Sequence, residues 1–351
     1  MKEDIEKILS LAVHAPSGDN SQPWRFEAKD NVINVFSLPE KDNPIFNYRS
    51  RGTLAAHGAL IENIVIAASA YGYAAGVRLF PDVGNKVCTA SVTLEKSGVK
   101  KDALRDVIAG RATNRKFYEE KPLTAEQRAE LLDCAKVSGE AKIMFIEDPQ
   151  QRKELGKAMS VNEIVMLENH ELHDYFYNDV RWTEKDEREK KTGLYAKTME
   201  LKPPQLAVFK LLQNWSMAKI LTKLGMAKFI AKENAKLYGS ESAIGIIVTR
   251  NEDKDFIIAG RIMQRIWLTA TLRDLSMHLV TGVLFLAQRI NAGESFGLSE
   301  EHVKRVQVAF NTIRQTFKVG DDGVIALMFR IGYAGKPSGI SSRLPPKIEF
   351  R

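Results

Sequence analysis

Residues 14–26 read HAPSGDNSQPWRF, and their types raise a chemical question. Pro16, Gly18, Asn20 and Pro23 make a loop, and Trp24 and Phe26 then alternate like the start of a strand. Such a loop can turn backbone N–H groups and an amide toward a bound planar molecule. It can also be a plain turn between a helix end and a strand. Trp24 reads as a core or interface anchor, because buried aromatic rings usually pack. A second candidate is ENHELHD at 168–174, which sets His170 and His173 on one helix face beside Glu171 and Asp174. Two histidines without a third and fourth ligand argue better for a polar helix face, or part of a cap, than for a metal-dependent enzyme. No G-x-G-x-x-G follows a strand, so a resident dinucleotide in a Rossmann site has no support.

These residues need elements to position them. The chain has 351 residues, 44% hydrophobic and 27% charged, which suits one large core or two cores and argues against disorder. Two cysteines, Cys88 and Cys134, cannot build a disulfide framework, so a reduced, cytoplasmic chain is expected. The opening MKEDIEKILSL lacks a targeting pattern, and no membrane-spanning segment is expected. The net charge of +7 is compatible with nucleic acid, an anionic surface or a phosphate-bearing ligand, and selects none of them.

Helical spacing predicts a helix over 3–14, strands over 24–28 and 32–37, and an almost wholly apolar, buried helix over 52–72. A strand is expected at 86–95 and a short helix near 102–109. Thr124 and Gln127 open the next helix with a capping box. Strands are expected at 142–148 and 243–249, a second long apolar helix at 256–275, helices near 281–291 and 299–317, and a strand in VIALMFRIGYA. Laying the two apolar helices together aligns Gly58 with Gly260, Ile64 with Ile266, Ala68 with Ala270 and Tyr73 with Leu275. This suggests a degenerate internal duplication. Residues 206–238 are amphipathic and basic, which suits a lid with a buried face, a membrane-surface segment or a partner helix.

The stretch HAPSGDNSQPWRF resembles the flavin-binding loop of the nitroreductase family, whose pattern is roughly A-P-S-x-x-N-x-Q-P-W-x-F. Ala15, Pro16, Ser17, Asn20, Gln22, Pro23, Trp24 and Phe26 stand at its fixed positions, with Gly18 inside the loop. GRATNRKF at 110–117 is similar to the family's basic phosphate-holding element, with Arg111, Thr113 and Arg115 on its positions. SSRLP at 341–345 is similar to its C-terminal S-R-x-P element, with Ser342 and Arg343 in place. A phosphate monoester needs such guanidinium forks and hydroxyl donors. The family's backbone approach to the reactive flavin edge falls around Ser276, Met277 and His278, although its usual acidic residue and glycine are not evident there.

The distribution of these elements resembles the double-domain, Acg-like branch of the family. The first half holds the loop and lacks the basic element; the second half holds the basic elements and lacks the loop. The resemblance implies an α+β fold of two nitroreductase-like halves, with mixed, mainly antiparallel sheets flanked by helices. Residues 1–100 and 101–351 would form an intrachain pseudo-dimer binding one FMN, with 150–240 a helical insertion or lid. It implies NAD(P)H-dependent reduction of nitroaromatics, quinones or similar electron-poor molecules in a ping-pong cycle, with no side chain required as a catalytic acid. The rival reading is a non-catalytic FMN-binding protein for storage or sequestration. A closed, aromatic-packed cap, built with Tyr195, Trp215 or Tyr238, would favour that rival. The expected partners are NAD(P)H and a small-molecule acceptor, with no nucleic acid, metal or membrane span. The chain would be a monomeric pseudo-dimer or a homodimer.

Overall fold

The computed structural model describes residues 1–41, 45–82, 84–137, 141–295 and 297–351. The first half runs α1 (Lys2–Ala12), β1 (Trp24–Lys29), β2 (Val32–Ser37), α2 (Arg51–Ser69), β3 (Tyr73–Leu79) and β4 (Cys88–Lys96). The second opens with α3 (Ala125–Asp133) and β5 (Lys142–Ile146). A helical excursion follows: α4 (Pro149–Met159), α5 (Val161–Glu168), α6 (His170–Asn178), β6 (Val180–Arg181), α7 (Glu184–Lys190), β7 (Leu194–Tyr195), α8 (Pro203–Leu212), α9 (Trp215–Lys223) and α10 (Met226–Tyr238). The body resumes with β8 (Ala243–Thr249), α11 (Asp253–Leu272), β9 (Ser276–Leu279), α12 (Gly282–Asn291), α13 (Glu300–Phe317), β10 (Val324–Gly332) and β11 (Ile348–Phe350).

The two halves share one topology. The first sheet orders its own strands β1-β2-β4-β3, and the second orders its strands β5-β8-β10-β9. Each half thus places its strands in spatial order first, second, fourth, third, all antiparallel, with the long helix between the second and third strands. The helical excursion sits between β5 and β8, where the first half has only the tight Asp30–Asn31 connection. β11 then crosses to the first sheet and pairs parallel with β1, Phe26 opposite Ile348.

The long helices α2 and α11 hold the halves together. Both are apolar around most of their circumference, so both are buried, as a helix without a polar face must be. The stretch Tyr48–Ser69 is long and apolar enough to cross a membrane, but 83% of its apolar window lies inside the fold, as expected of a core helix. Gly58 and Gly260 make the crossing. A Cβ on Gly58 would stand 2.0 Å from the Ile257 carbonyl oxygen, and one on Gly260 would stand 1.9 Å from that of Ala55. Polar groups fix the register. Buried Glu62 accepts from Arg261 at 2.8 Å and Arg265 at 2.7 Å, and the Gln264 amide donates to Asn63 at 2.7 Å.

The sequence reading differs from the structure at its short elements. The helix expected near 102–109 is a 3₁₀ segment over Ala103–Val107, capped by Asp102. Five strands were not expected: β3, β9, β11 and the two-residue pair β6 and β7. The capping box at Thr124 and Gln127 is formed.

The excursion has a small core of its own, with Leu167, Tyr177, Leu212, Ala218 and Ala227 in its interior. It is tied to the second half through α4, α5 and α10. Buried Glu163 of α5 accepts from the Tyr238 hydroxyl at 2.6 Å and the Asn234 amide at 3.1 Å. Burial pushes its carboxyl up from 4.5 to about 7, outweighing the lowering effect of those donors.

Two predictions follow from this packing. Gly260→Ala forces backbone apart at the crossing and should cost at least ~2 kcal/mol in urea unfolding. Because the folded-state value of Glu163 is raised, its contribution is present below pH 4.5 and lost as pH rises through about 7. Glu163→Gln should therefore flatten the stability–pH profile over that window and gain up to about 3 kcal/mol relative to the parent at pH 8.

Candidate active site

The loop after α1 is held in an unusual backbone. Asp19, Asn20 and Gln22 all have positive φ, at 46°, 56° and 51°. Non-glycine residues seldom adopt this region, and such strain clusters at ligand sites. Ser17 fixes the turn by accepting the Gln22 amide N–H on Oγ at 3.0 Å.

Three further segments converge on this loop. Residues 111–115 approach from the second half, 339–343 from the crossing tail, and 193–198 from the excursion. Together with residues 16–20 they line a cavity of about 100 Å³. Of the residues expected from sequence, Pro16, Ser17, Asn20, Arg111, Thr113, Arg115 and Arg343 line it. Gly18 and Ser342 sit on the same loops without lining it. Met277 and His278 lie behind the wall: the Met277 carbonyl accepts the Asn114 N–H at 3.1 Å, and Thr113 bridges to Met277.

Three arginines and one acid, Asp19, line the cavity. Arg111 is buried against the Trp267 ring at 4.3 Å and donates to the His14 carbonyl at 3.0 Å. Its Nε has no partner. Arg343 donates to the carbonyls of Ala15 at 3.3 Å, Ser341 at 2.9 Å and Ser342 at 3.0 Å. Among the described residues neither guanidinium is in an ion pair. Burial lowers both: Arg343 falls to about 10 against the opposing charge of Glu187, and Arg111 is lowered well below its ordinary value by burial and then by the charge of Arg343. His14 beside them is also lowered, by burial first and then by Arg343 and Arg111. Two neighbouring cations outside any ion pair, one buried and one half-buried, are the complement of an anion with more than one charge.

Arg115 stands at the opposite wall and donates to Thr198, to its carbonyl at 3.2 Å and its hydroxyl at 3.3 Å. Its turn is braced from below by Arg330, a fully buried residue of β10. Arg330 donates to the carbonyls of Asn114, Lys116 and Leu237 and to His278 Nδ1, and stacks over the Tyr118 ring at 4.1 Å. His278 is held well below its ordinary value by burial, then by Arg115 and Arg330, so it accepts from Arg330 as neutral imidazole.

The excursion closes over the site through the loop's own amides. The Asn20 amide donates to the carbonyls of Lys191 at 3.2 Å and Ser342 at 3.1 Å. The Gln22 amide donates to the Lys191 carbonyl at 2.7 Å, and its oxygen accepts the Leu344 N–H at 2.8 Å. Glu187 accepts the Ser342 N–H, and Glu200 accepts the N–H and hydroxyl of Ser338 at 2.6 Å each. Asn20 and Gln22 thus tie the loop, the tail and the excursion into one latch.

Sequence reasoning missed Gly193, Leu194 and Thr198 in the wall. A usable signal was Gly193, whose φ of 84° and close approach to Arg181 and Asp179 exclude a side chain. Of the aromatics considered for closing the site, Tyr195 lies beside this wall, next to Gly339. Trp215 instead packs on His170 and His173, and Tyr238 is bonded to Glu163. His170 pairs with Asp174, and His173 bonds the Leu212 carbonyl at 2.7 Å. No group of three or more metal-ligating side chains occurs among the described residues.

No protein-family model matches the sequence. An uncharacterized protein of Mycobacterium tuberculosis, MT1398, is 22% identical over 344 residues, covering 96% of this chain and 47% of that protein. A protein of the same organism provisionally named NAD(P)H nitroreductase Acg is 28% identical over 174 residues, 48% of this chain and 51% of that one. The chain spans about half the length of the curated relatives it matches. Together with the loop and the basic elements, these similarities make the chain nitroreductase-like. The sequence similarity is to this Acg protein over about half of each chain. Among solved structures, a Bacteroides fragilis nitroreductase with bound FMN aligns at a TM-score of 0.35 and 8% identity, over 69% of this chain and 94% of that one. The FMN-dependent nitroreductase NfnB of Mycobacterium smegmatis, in complex with NADPH, aligns at 0.37 and 14% identity, over 66% and 88%.

The latch makes its own prediction. Gln22→Ala removes the bond that joins the loop, the Lys191 carbonyl and the tail. Amide hydrogen exchange over residues 187–198 should accelerate at least ~10-fold while that of α2 and α11 stays unchanged.

Proposed function

We propose that the chain is an FMN-dependent oxidoreductase that accepts reducing equivalents from NAD(P)H and passes them to a nitroaromatic, quinone or similar electron-poor small molecule. The observation that carries this reading is the pair Arg111 and Arg343: a buried guanidinium with an orphaned Nε beside a half-buried one, neither in an ion pair among the described residues, with only the more distant charge of Glu187 acting on Arg343. A phosphate monoester supplies the missing charge and the missing acceptor. Arg111, Arg343 and the Thr113 hydroxyl would hold it, and the loop Pro16–Asn20 would face the ring. Residues 1–100 and 101–351 act in this reading as the two halves of a pseudo-dimer, with 150–240 as the lid.

When bound, FMN supplies a two-electron carrier, and the chain supplies position and charge. Arg115 and the donors of the strained loop would orient it. Met277 and His278 keep their place behind the wall, where the neutral imidazole braces Arg330. NAD(P)H and the acceptor would use the same space in turn, a ping-pong order. The cavity of about 100 Å³ is smaller than the ~300 Å³ at which small-molecule sites begin. Entry therefore requires residues 191–198 to move, and the Asn20–Gln22 latch governs that movement.

The test is a titration of the purified chain with FMN and with riboflavin, followed by anaerobic NADPH or NADH and then a quinone. FMN should bind and bleach with a reduced nicotinamide, and the quinone should restore the colour. Bound flavin that neither donor bleaches would return the storage reading, and no FMN binding would overturn both. Arg343→Met should weaken FMN ~10–100-fold and leave riboflavin unchanged. The ligand-free variant should be at least as stable as the parent, because a desolvated charge outside any ion pair has been removed.

A further inference from the structure

The excursion carries a surface that the site does not use. Between Lys202 and Lys236 the chain holds seven lysines and one acidic residue, Glu233, in a protein whose whole net charge is +7. All seven lysines are exposed. Only Lys236 is ion-paired among the described residues, to Glu233.

Large apolar side chains stand among these lysines in solvent. Leu224 is 79% exposed, Phe229 60% and Ile220 54%. Their spacing is regular. The exposed stripe of α9 reads Ser216, Lys219, Ile220, Lys223, with Leu224 at the following turn; that of α10 reads Lys228, Phe229, Lys232, Lys236. The opposite faces of the same helices fill the excursion's own core with Ala218, Leu221, Ala227 and Ile230. The exposed stripe is therefore surplus to folding.

We propose that the outer face of α9 and α10 docks the protein on an anionic lipid bilayer. The chemistry of the stripe selects this occupant. Every cation in it is lysine, whose flexible stem lies along apolar surface while its ammonium reaches headgroup phosphates. Nucleic-acid surfaces instead rely heavily on arginine forks and have little use for an exposed leucine or phenylalanine. Exposed apolar side chains at Ile220, Leu224 and Phe229, each flanked by lysines, are the pattern of helices lying in the interface, with side chains entering the acyl boundary and charge drawing them to anionic lipid. The α9–α10 turn at Leu224–Gly225 puts the most exposed leucine at the apex. This assignment does not depend on the flavin reading.

Co-sedimentation of the full chain with vesicles tests it. Binding is expected to vesicles of phosphatidylcholine with about a third phosphatidylglycerol at ~0.1 M salt, and not to pure phosphatidylcholine. Ile220→Ser/Leu224→Ser/Phe229→Ser and Lys219→Gln/Lys223→Gln/Lys228→Gln should each weaken binding at least ~10-fold. Both triple changes fall on exposed positions, so the circular dichroism and the FMN titration should match the parent. No binding to the anionic vesicles overturns the proposal, as does binding that neither variant reduces. If only the lysine variant loses binding and duplex DNA competes, the face is a polyanion site. If the serine variant instead abolishes self-association in sedimentation velocity, and vesicles are ignored, the face is a contact between copies.

Discussion

The crossing of α2 and α11 at Gly58 and Gly260 is the constraint on which the rest of the molecule depends. Backbone meets backbone there, so the two helices share one position and one angle. Each helix leads into the third strand of its own sheet, so fixing the helices fixes the sheets. The loop at 16–22 hangs from the first half and the basic segment at 111–115 from the second. Their distance is therefore set by a contact neither of them touches. A methyl group at the crossing would shift every wall of the cavity at once, because close-packed interiors transmit displacement rather than absorb it.

The site is built against local stability. A buried and a half-buried guanidinium stand side by side outside any ion pair among the described residues, and three non-glycine residues of one short loop hold positive φ. Each feature costs free energy in the empty protein. The bonds that offset the cost come from the latch, in which Asn20 and Gln22 reach across to carbonyls of the excursion and the tail. The two amides that mark the loop in the sequence thus bind protein here as well as shaping a ligand site. The strained loop and the excursion's contact with it rest on the same bonds.

The long-period features were legible in the sequence and the short-range ones were not. The apolar helices announced themselves by composition, and alignment of Gly58 with Gly260 anticipated two residues that face each other in the fold. Strand β8 was read to the residue because AIGIIVT is continuous and buried. Strand β9 was missed because SMHL is four residues long and has no alternation. Strand β3 was missed because YAAGVRL is rich in alanine and glycine. The basic segments and the loop were found through a family resemblance, and no spacing within 110–117 or 341–345 alone separates them from solvated arginines. The lid's contribution was hidden because Lys191 acts through its carbonyl oxygen, which every residue has.

Strand β11 closes a circuit. The stretch 334–347, with Ser342 and Arg343, is suspended between β10 of one sheet and β1 of the other, so both of its ends are fixed by hydrogen bonds. During synthesis, β1 forms its hairpin with β2 early, yet its outer edge has no neighbour until residue 350 has been made. An open strand edge of that kind invites pairing with other chains. The nascent protein therefore carries its aggregation hazard through most of its translation. The event that covers that edge is the same one that delivers Arg343 to Arg111, so the cavity wall and a capped first sheet arrive together.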